Sequence, residues 1–186
     1  MKKIYLVPFI LLILLCGCQK DTRAEDLQQQ YRAFSAAEVS ADIVCHLPTE
    51  NRTFTVKCNY EKGHGATTSI IAPEEVKGIS ATVNEKLSVT YDGMILSAGA
   101  LTEICPANCL PYLMSAVSEG YITEWGSDTL EGESCLRISF DTTSPGGEKI
   151  LCVAWFYEEN QIPVYAEFVQ GDQVVLTALI HSFESV

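Results

Sequence analysis

The sequence predicts a mainly β protein: a curved antiparallel sheet or half-barrel of about 10–11 strands, with two helices covering its concave side. Three observations predict the antiparallel strands and the two helices. Apolar and polar residues alternate with period two over most of the chain, which is the signature of strands with one buried face. Turn-forming clusters of glycine, proline, asparagine and aspartate separate the alternating runs. Only two stretches switch to helical spacing, one near each end of the first meander of strands.

The chain opens on a leader. Lys2 and Lys3 precede an uncharged, mostly apolar stretch from Ile4 to Leu15. It is too short to span a bilayer and has the size of a secretory core. It ends in Leu15-Cys16-Gly17-Cys18, which resembles the bacterial lipobox, where the cysteine after the cleavage point is diacylated on sulfur. Cys18 fits that position, and Cys16 does not because Leu14 and Leu15 before it are too large. Residues 1–17 are therefore expected to be a signal peptide, and residues 18–24 a lipidated N-terminus with a short polar tether. Residues 25–186 then form the single β domain. Two acyl chains suffice for stable membrane attachment, so the mature protein is expected outside the cytoplasm, anchored to the cell membrane.

Residues 25 to 35 read as a helix, with Leu27, Tyr31 and Phe34 on one face. Strands follow: Val39, Ala41, Ile43, Cys45 and Leu47 alternate with polar residues, and after a turn so do Phe54, Val56, Cys58 and Tyr60. Gly63-His64-Gly65 breaks the chain before Ala66 to Ala72, and Pro73-Glu74-Glu75 with Gly78 punctuates again. Ile79, Ala81 and Val83, then Leu87, Val89 and Tyr91, lead to Asp92-Gly93, a strong two-residue hairpin signal. The second helix starts at Asn108 as N-cap, tolerates Pro111 in its first turn, and stops at Gly120. Leu110, Leu113, Met114 and Val117 form its apolar stripe. Beyond it, strands are expected at Tyr121 to Trp125, around Leu136, Ile138 and Phe140, at Ile150 to Tyr157, at Val164 to Gln170 and at Val174 to Phe183.

Charge excludes some partners. The chain carries 24 acidic and 12 basic residues, a net charge of −12. Removal of the leader, with its two lysines and no acids, takes this to −14. Such a chain does not grip nucleic acid through phosphates and is repelled by an anionic membrane surface. Its hold on the membrane must come from the acyl chains.

Six cysteines remain after Cys16 and Cys18: Cys45, Cys58, Cys105, Cys109, Cys135 and Cys152. An even number outside the cytoplasm favours disulfides. A hairpin centred between residues 51 and 52 would set Cys45 opposite Cys58. One centred on Ser144-Pro145-Gly146-Gly147 would set Cys135 opposite Cys152, and Cys105 and Cys109 would be left for each other.

Catalytic signatures are missing from the sequence: no nucleophile elbow, zinc-protease helix, phosphate loop or dinucleotide fingerprint. His46, His64 and His181 have no ligand partner at helical spacing, and Cys105 with Cys109 lacks a second matching pair for zinc. No catalytic residue, metal or cofactor is assigned.

Two local stretches carry a family resemblance. Ile70-Ile71-Ala72-Pro73-Glu74-Glu75-Val76-Lys77-Gly78-Ile79-Ser80-Ala81 resembles the strand–turn–strand of LolA-like lipoproteins. Pro106 through Leu110-Pro111, the helix, and Gly120-Tyr121-Ile122 resemble their lid-helix segment. The order of elements is similar to the LolA/LolB-like lipoprotein carrier fold, in which an incomplete barrel curls around an apolar cavity under helices. The anchored LolA-like lipoproteins of Gram-positive spore formers, some linked to germination, are at least as similar. LolA itself is a soluble shuttle, and no residue here matches a functional position of either carrier. The resemblance implies a non-enzymatic lipoprotein that binds an acyl chain, a lipid or a lipidated partner between sheet and helices. The candidate lining is Leu27, Tyr31, Phe34, Leu110, Leu113, Met114 and Val117. The alternative is a regulatory module working by protein contacts at the envelope, as in germination. A filled interior and a ligand cavity give the same sequence pattern.

Overall fold

Alternation becomes architecture in the computed structural model, which describes residues 21–84, 87–92, 94–99, 103–144 and 146–185. The leader, Cys16, Cys18 and residues 19–20 of the expected tether lie outside the described residues. Helix α1 spans Arg23–Ala33. The first meander then runs through β1 (Ala36–His46), β2 (Asn51–Glu61), β3 (Gly65–Ala72), β4 (Ser80–Val83), β5 (Leu87–Tyr91) and β6 (Met94–Gly99). Helix α2 spans Cys109–Glu119. The second meander is β7 (Tyr121–Leu130), β8 (Glu133–Thr143), β9 (Lys149–Tyr157), β10 (Pro163–Gln170) and β11 (Gln173–Ser185).

The eleven strands form one sheet in the order β6-β5-β4-β3-β2-β1-β11-β10-β9-β8-β7. Each pairing is antiparallel, as hairpin connections require. The sheet is curved and open, with the helices on its concave side. The chain walks from the centre to one edge and crosses by way of α2 to the other edge. It then walks back until β11 pairs with β1, from Ala37 opposite Ser185 to Cys45 opposite Leu176. That pairing is the seam between the two meanders.

Period two sorts the faces. Val39, Ala41 and Ile43 of β1, Ile138 and Phe140 of β8, and Ala154 and Phe156 of β9 point to the helices and are all at most 3% exposed. Across the middle of the sheet one row reads Ile138, Ala154, Ala166, Ala178, Ile43, each opposite the next. Three successive alanines keep this row low, so larger helix side chains can seat above it at interior packing density. Helix α2 packs across β8, β11 and β2. The β4–β6 end of the sheet is covered less well: Tyr91, Met94 and Ile95 are 48%, 63% and 73% exposed.

The β5–β6 hairpin has the expected register, with Tyr91 opposite Met94. Two other registers differ from expectation. In the first hairpin Asn51 pairs with His46, so the loop is residues 47–50 and Cys58 lies opposite Val39, not Cys45. Cys45 and Cys58 share a face but are offset by six residues, about 20 Å along the strands. In the β8–β9 hairpin Cys135 lies opposite Tyr157, and Cys152 opposite Phe140. The offset is five residues, an odd number, so those two side chains point to opposite faces. The expected Cys45–Cys58 and Cys135–Cys152 bridges are therefore incompatible with the sheet, and all six cysteines are free thiols in the structure.

Candidate functional site

The helix–sheet interface is built first by α1. Leu27 and Tyr31, one turn apart, are 0% and 3% exposed. Phe34, just past the helix in an extended conformation, completes an aromatic cluster. Tyr31 stands 4.8 Å from Phe34, 5.5 Å from Phe156 and 5.8 Å from Phe183, measured between ring centroids. Such tilted and edge-on contacts add to simple burial. The Tyr31 hydroxyl donates to the Gln161 carbonyl at 2.9 Å, and desolvation pushes its pKa well up, so it stays protonated.

Helix α2 lays down the second stripe. Leu110, Leu113, Met114 and Val117 are at most 4% exposed and belong to the same core as Ile138, Phe140 and Phe168. Tyr112 meets Phe168 edge-on at 6.0 Å, and its hydroxyl donates to Thr142 at 3.2 Å. Asn108 occupies the N-cap position, yet its side chain organises the preceding loop instead of capping. Its Oδ1 accepts from the Cys105 amide at 2.7 Å, and its amide group donates to the Glu103 carbonyl at 2.9 Å. At the other end Gly120 is required by close approach. A Cβ there would lie 2.4 Å from the Ala116 carbonyl oxygen and 3.0 Å from the Phe140 Cβ.

Polar groups of α1 clasp the C-terminal end of α2. Gln28 donates to the Gly120 carbonyl at 2.8 Å, and Arg32 donates to the Ser118 carbonyl at 2.6 Å and to the Gln28 side chain at 2.9 Å. A guanidinium on the last carbonyls of a helix satisfies orphan acceptors and opposes the negative end of the dipole. The apolar face of Leu27, Tyr31 and Phe34 gives no sign of this clasp, which is made by polar residues beside it.

All seven expected lining residues thus converge on one layer between helices and sheet, and they pack there as core. A cavity of about 660 Å³ opens on the opposite face of the sheet, lined by none of the seven. Its wall includes Asp42, Thr53, Tyr157, Tyr165, Leu179 and His181. Asp42 accepts from Thr55 at 2.7 Å and pairs with His181 at 3.0 Å. The Thr55 hydrogen bond, and then His181, hold the Asp42 carboxyl below the usual carboxylate range. Beside it the outer face carries a ladder of flat groups: the Arg137 guanidinium lies over Trp155 at 5.5 Å, and Trp155 stands 5.3 Å from Tyr165. His46 and His181 sit on this outer face, as their polar strand positions implied. Among the described residues, no group of three or more His, Cys, Asp or Glu side chains is arranged to hold a metal ion.

No family model matches the chain, and no curated protein matches it in sequence. Solved structures do match in shape. A domain assigned as an outer membrane lipoprotein-sorting protein, from Vibrio parahaemolyticus, superposes with a TM-score of 0.52 at 9% identity, covering 88% of this chain and 93% of that one. The chain has a LolA-like fold. A DUF1329 family protein from Desulfovibrio piger superposes equally well, TM-score 0.52 at 11% identity over 87% of this chain and 91% of its own. A conserved protein from Thermus thermophilus gives 0.52 at 7% identity, with 89% and 86% covered. The LolA-like likeness is one of fold, carried by the curved sheet and the helix layer described above.

Proposed function

We propose that this LolA-like domain is the extracytoplasmic part of a membrane-anchored, non-enzymatic lipoprotein that binds an apolar group between its sheet and its helices. The carrying observation is the helix layer itself. Two short helices, clasped to each other through Gln28 and Arg32, bury an aliphatic and aromatic stripe on a sheet whose central row is alanine. The lipoprotein-sorting domain of the same fold supports the reading. In the present conformation the seven lining residues pack on one another, so an acyl chain enters by lifting the helix layer and replacing its contacts. The acyl anchor on Cys18 keeps so acidic a domain at a membrane surface that would otherwise repel it.

A second reading, a protein-contact module of the envelope, is favoured by Tyr91 and Met94, cross-strand partners that stand exposed at the β5–β6 hairpin. Native mass spectrometry of the soluble domain separates the two. Co-purified lipid, or uptake of an added fatty acid by the folded domain, supports the first. A lipid-free domain that takes up no fatty acid refutes it.

A further inference from the structure

The floor of the outer-face cavity is set by strand register. Trp155, Tyr165, Leu179, Asp42 and Thr55 stand in one row across β9, β10, β11, β1 and β2, each opposite the next. Tyr165, Leu179 and Asp42 line the cavity, so three adjacent strands offer it an aromatic ring, an aliphatic chain and a carboxylate in that order. From Tyr165 to Asp42 is two strand spacings, about 10 Å. At about 660 Å³ the hollow falls within the size range of small-molecule sites, and Leu179 stands 43% exposed in it.

Charge selects the kind of occupant. Among the described residues the wall carries the carboxylates of Asp42 and Glu131, with His181, and neither lysine nor arginine. Asp42 accepts from Thr55 on one oxygen and meets His181 on the other, and a carboxylate with about four lone-pair sites keeps room for a further donor. At the other end of the row the Tyr165 hydroxyl donates to a Glu167 oxygen at 3.3 Å, which brings another carboxylate beside the ring. Glu131 holds left-handed backbone, φ 53°, before Gly132 at φ 92°, in a two-residue hairpin turn that favours asparagine, aspartate or glycine. The turn thus takes a strained residue whose side chain lines the cavity. Past Tyr157, common to both walls, a further hollow of about 620 Å³ is lined by Glu133 and Glu159, again without lysine or arginine among the described residues. A concave surface with one sign of charge concentrates ions of the other sign.

We propose that this cavity binds a protonated aliphatic polyamine, with one ammonium at Asp42, methylenes along Leu179, and a second ammonium over Tyr165 beside Glu167. Glu131 adds its charge from the β7–β8 turn. Ammonium groups donate charge-assisted hydrogen bonds to carboxylates and are attracted to an aromatic face, while the short methylene spacers cover the exposed aliphatic floor. A fatty acid or a phosphate would meet carboxylates of its own sign, and a bare metal ion would leave Leu179 uncovered. The site lies across the sheet from the helix layer, so the proposal does not depend on what is bound there.

The test is isothermal titration calorimetry of the full chain in a nonionic detergent, with spermidine as the probe. One spermidine should bind per chain, and Asp42→Asn and Glu131→Gln should each weaken it by about tenfold. Tyr165→Leu, which keeps an apolar side chain but removes the ring, should weaken it by about fivefold. Glu61→Gln, exposed at the far end of β2 and about 20 Å along the strand from Thr55, should leave the affinity unchanged. Spermidine acetylated on both terminal amines, the same chain without its end charges, should not bind. Asp42 also supports the fold, so the urea midpoint of each variant is measured, and Glu131→Gln, on an exposed turn, decides the matter if Asp42→Asn unfolds. The proposal is overturned by the absence of saturable binding, or by a loss in Glu61→Gln equal to that in Glu131→Gln, which would mean diffuse attraction to an acidic surface. Unchanged affinity in Glu131→Gln, in folded Asp42→Asn or in Tyr165→Leu also overturns it, as does an acetylated probe that binds as tightly as spermidine.

Discussion

Truncating Leu113 to alanine probes whether the space under α2 is filled. Leu113 is 2% exposed and sits in one core with Leu110, Met114, Val117, Ile138 and Phe140. Burial of such a side chain contributes ~1.5–3 kcal/mol by transfer alone. Removing it from a close-packed site adds the cost of the cavity left behind, for a total of about 2–5 kcal/mol. With a urea dependence of about 1–3 kcal/mol per molar, the unfolding midpoint of Leu113→Ala should fall by roughly 1–3 M. The assay is equilibrium urea unfolding of the soluble domain followed by fluorescence of Trp125 and Trp155, with the slope compared between variants. Leu113→Asp, which sets a carboxylate in the same place, should give a chain with no cooperative transition. A loss below about 1 kcal/mol for the alanine variant, or a folded aspartate variant, would refute the filled interior and put a ready-made hollow beneath the helix.

Other expectations follow from individual contacts. Arg32→Met keeps the aliphatic stem but loses the bond to the Ser118 carbonyl, so the domain should lose about 1–2 kcal/mol in the same urea assay; an unchanged midpoint would show that solvent replaces the clasp. Asp42 has a folded pKa below its unfolded one, so its contribution to stability is present above the usual carboxylate range and is lost as pH falls through the folded value. Thr55→Val should therefore raise the Asp42 pKa and move the acid-unfolding midpoint to higher pH, read by carboxylate NMR and circular dichroism. An Asp42 resonance that titrates unchanged would refute the role of Thr55. Cys18→Ser should leave the protein in the soluble extracytoplasmic fraction or as uncleaved precursor, and continued labelling by a palmitate analogue would refute the anchor.

The strands and helices were legible because their buried faces obey simple periods. Val39, Ala41 and Ile43 alternate, and Leu110, Leu113, Met114 and Val117 repeat on one helix face. Registers were legible only where the turn chemistry was decisive, as at Asp92-Gly93. In the first hairpin Asn51, Arg52 and Thr53 look like turn residues but are exposed strand, so the turn centre was displaced. In β9, Ile150 to Tyr157 is apolar at both parities because both faces of that strand are largely covered, so alternation could not assign a face to Cys152. The outer-face cavity had no local signature. Asp42 and His181 meet through the pairing of β1 with β11, which joins residues from opposite ends of the chain. A stripe of apolar residues likewise states that a helix face is buried and is silent on whether side chains or a ligand bury it.

The seam between β1 and β11 also orders events in time. Each meander is built of hairpins between neighbouring strands and can zip locally, whereas β1 obtains its second partner from the final strand of the chain. Contacts of such separation are the slow ones, because loop closure must precede them. A chain delivered N-terminus first therefore presents β1 as an open, mostly apolar edge through most of its delivery, a template for pairing with a neighbouring chain. Loss or delay of β11 should be felt first as aggregation of nascent protein, and only afterwards as a change in what the finished domain binds.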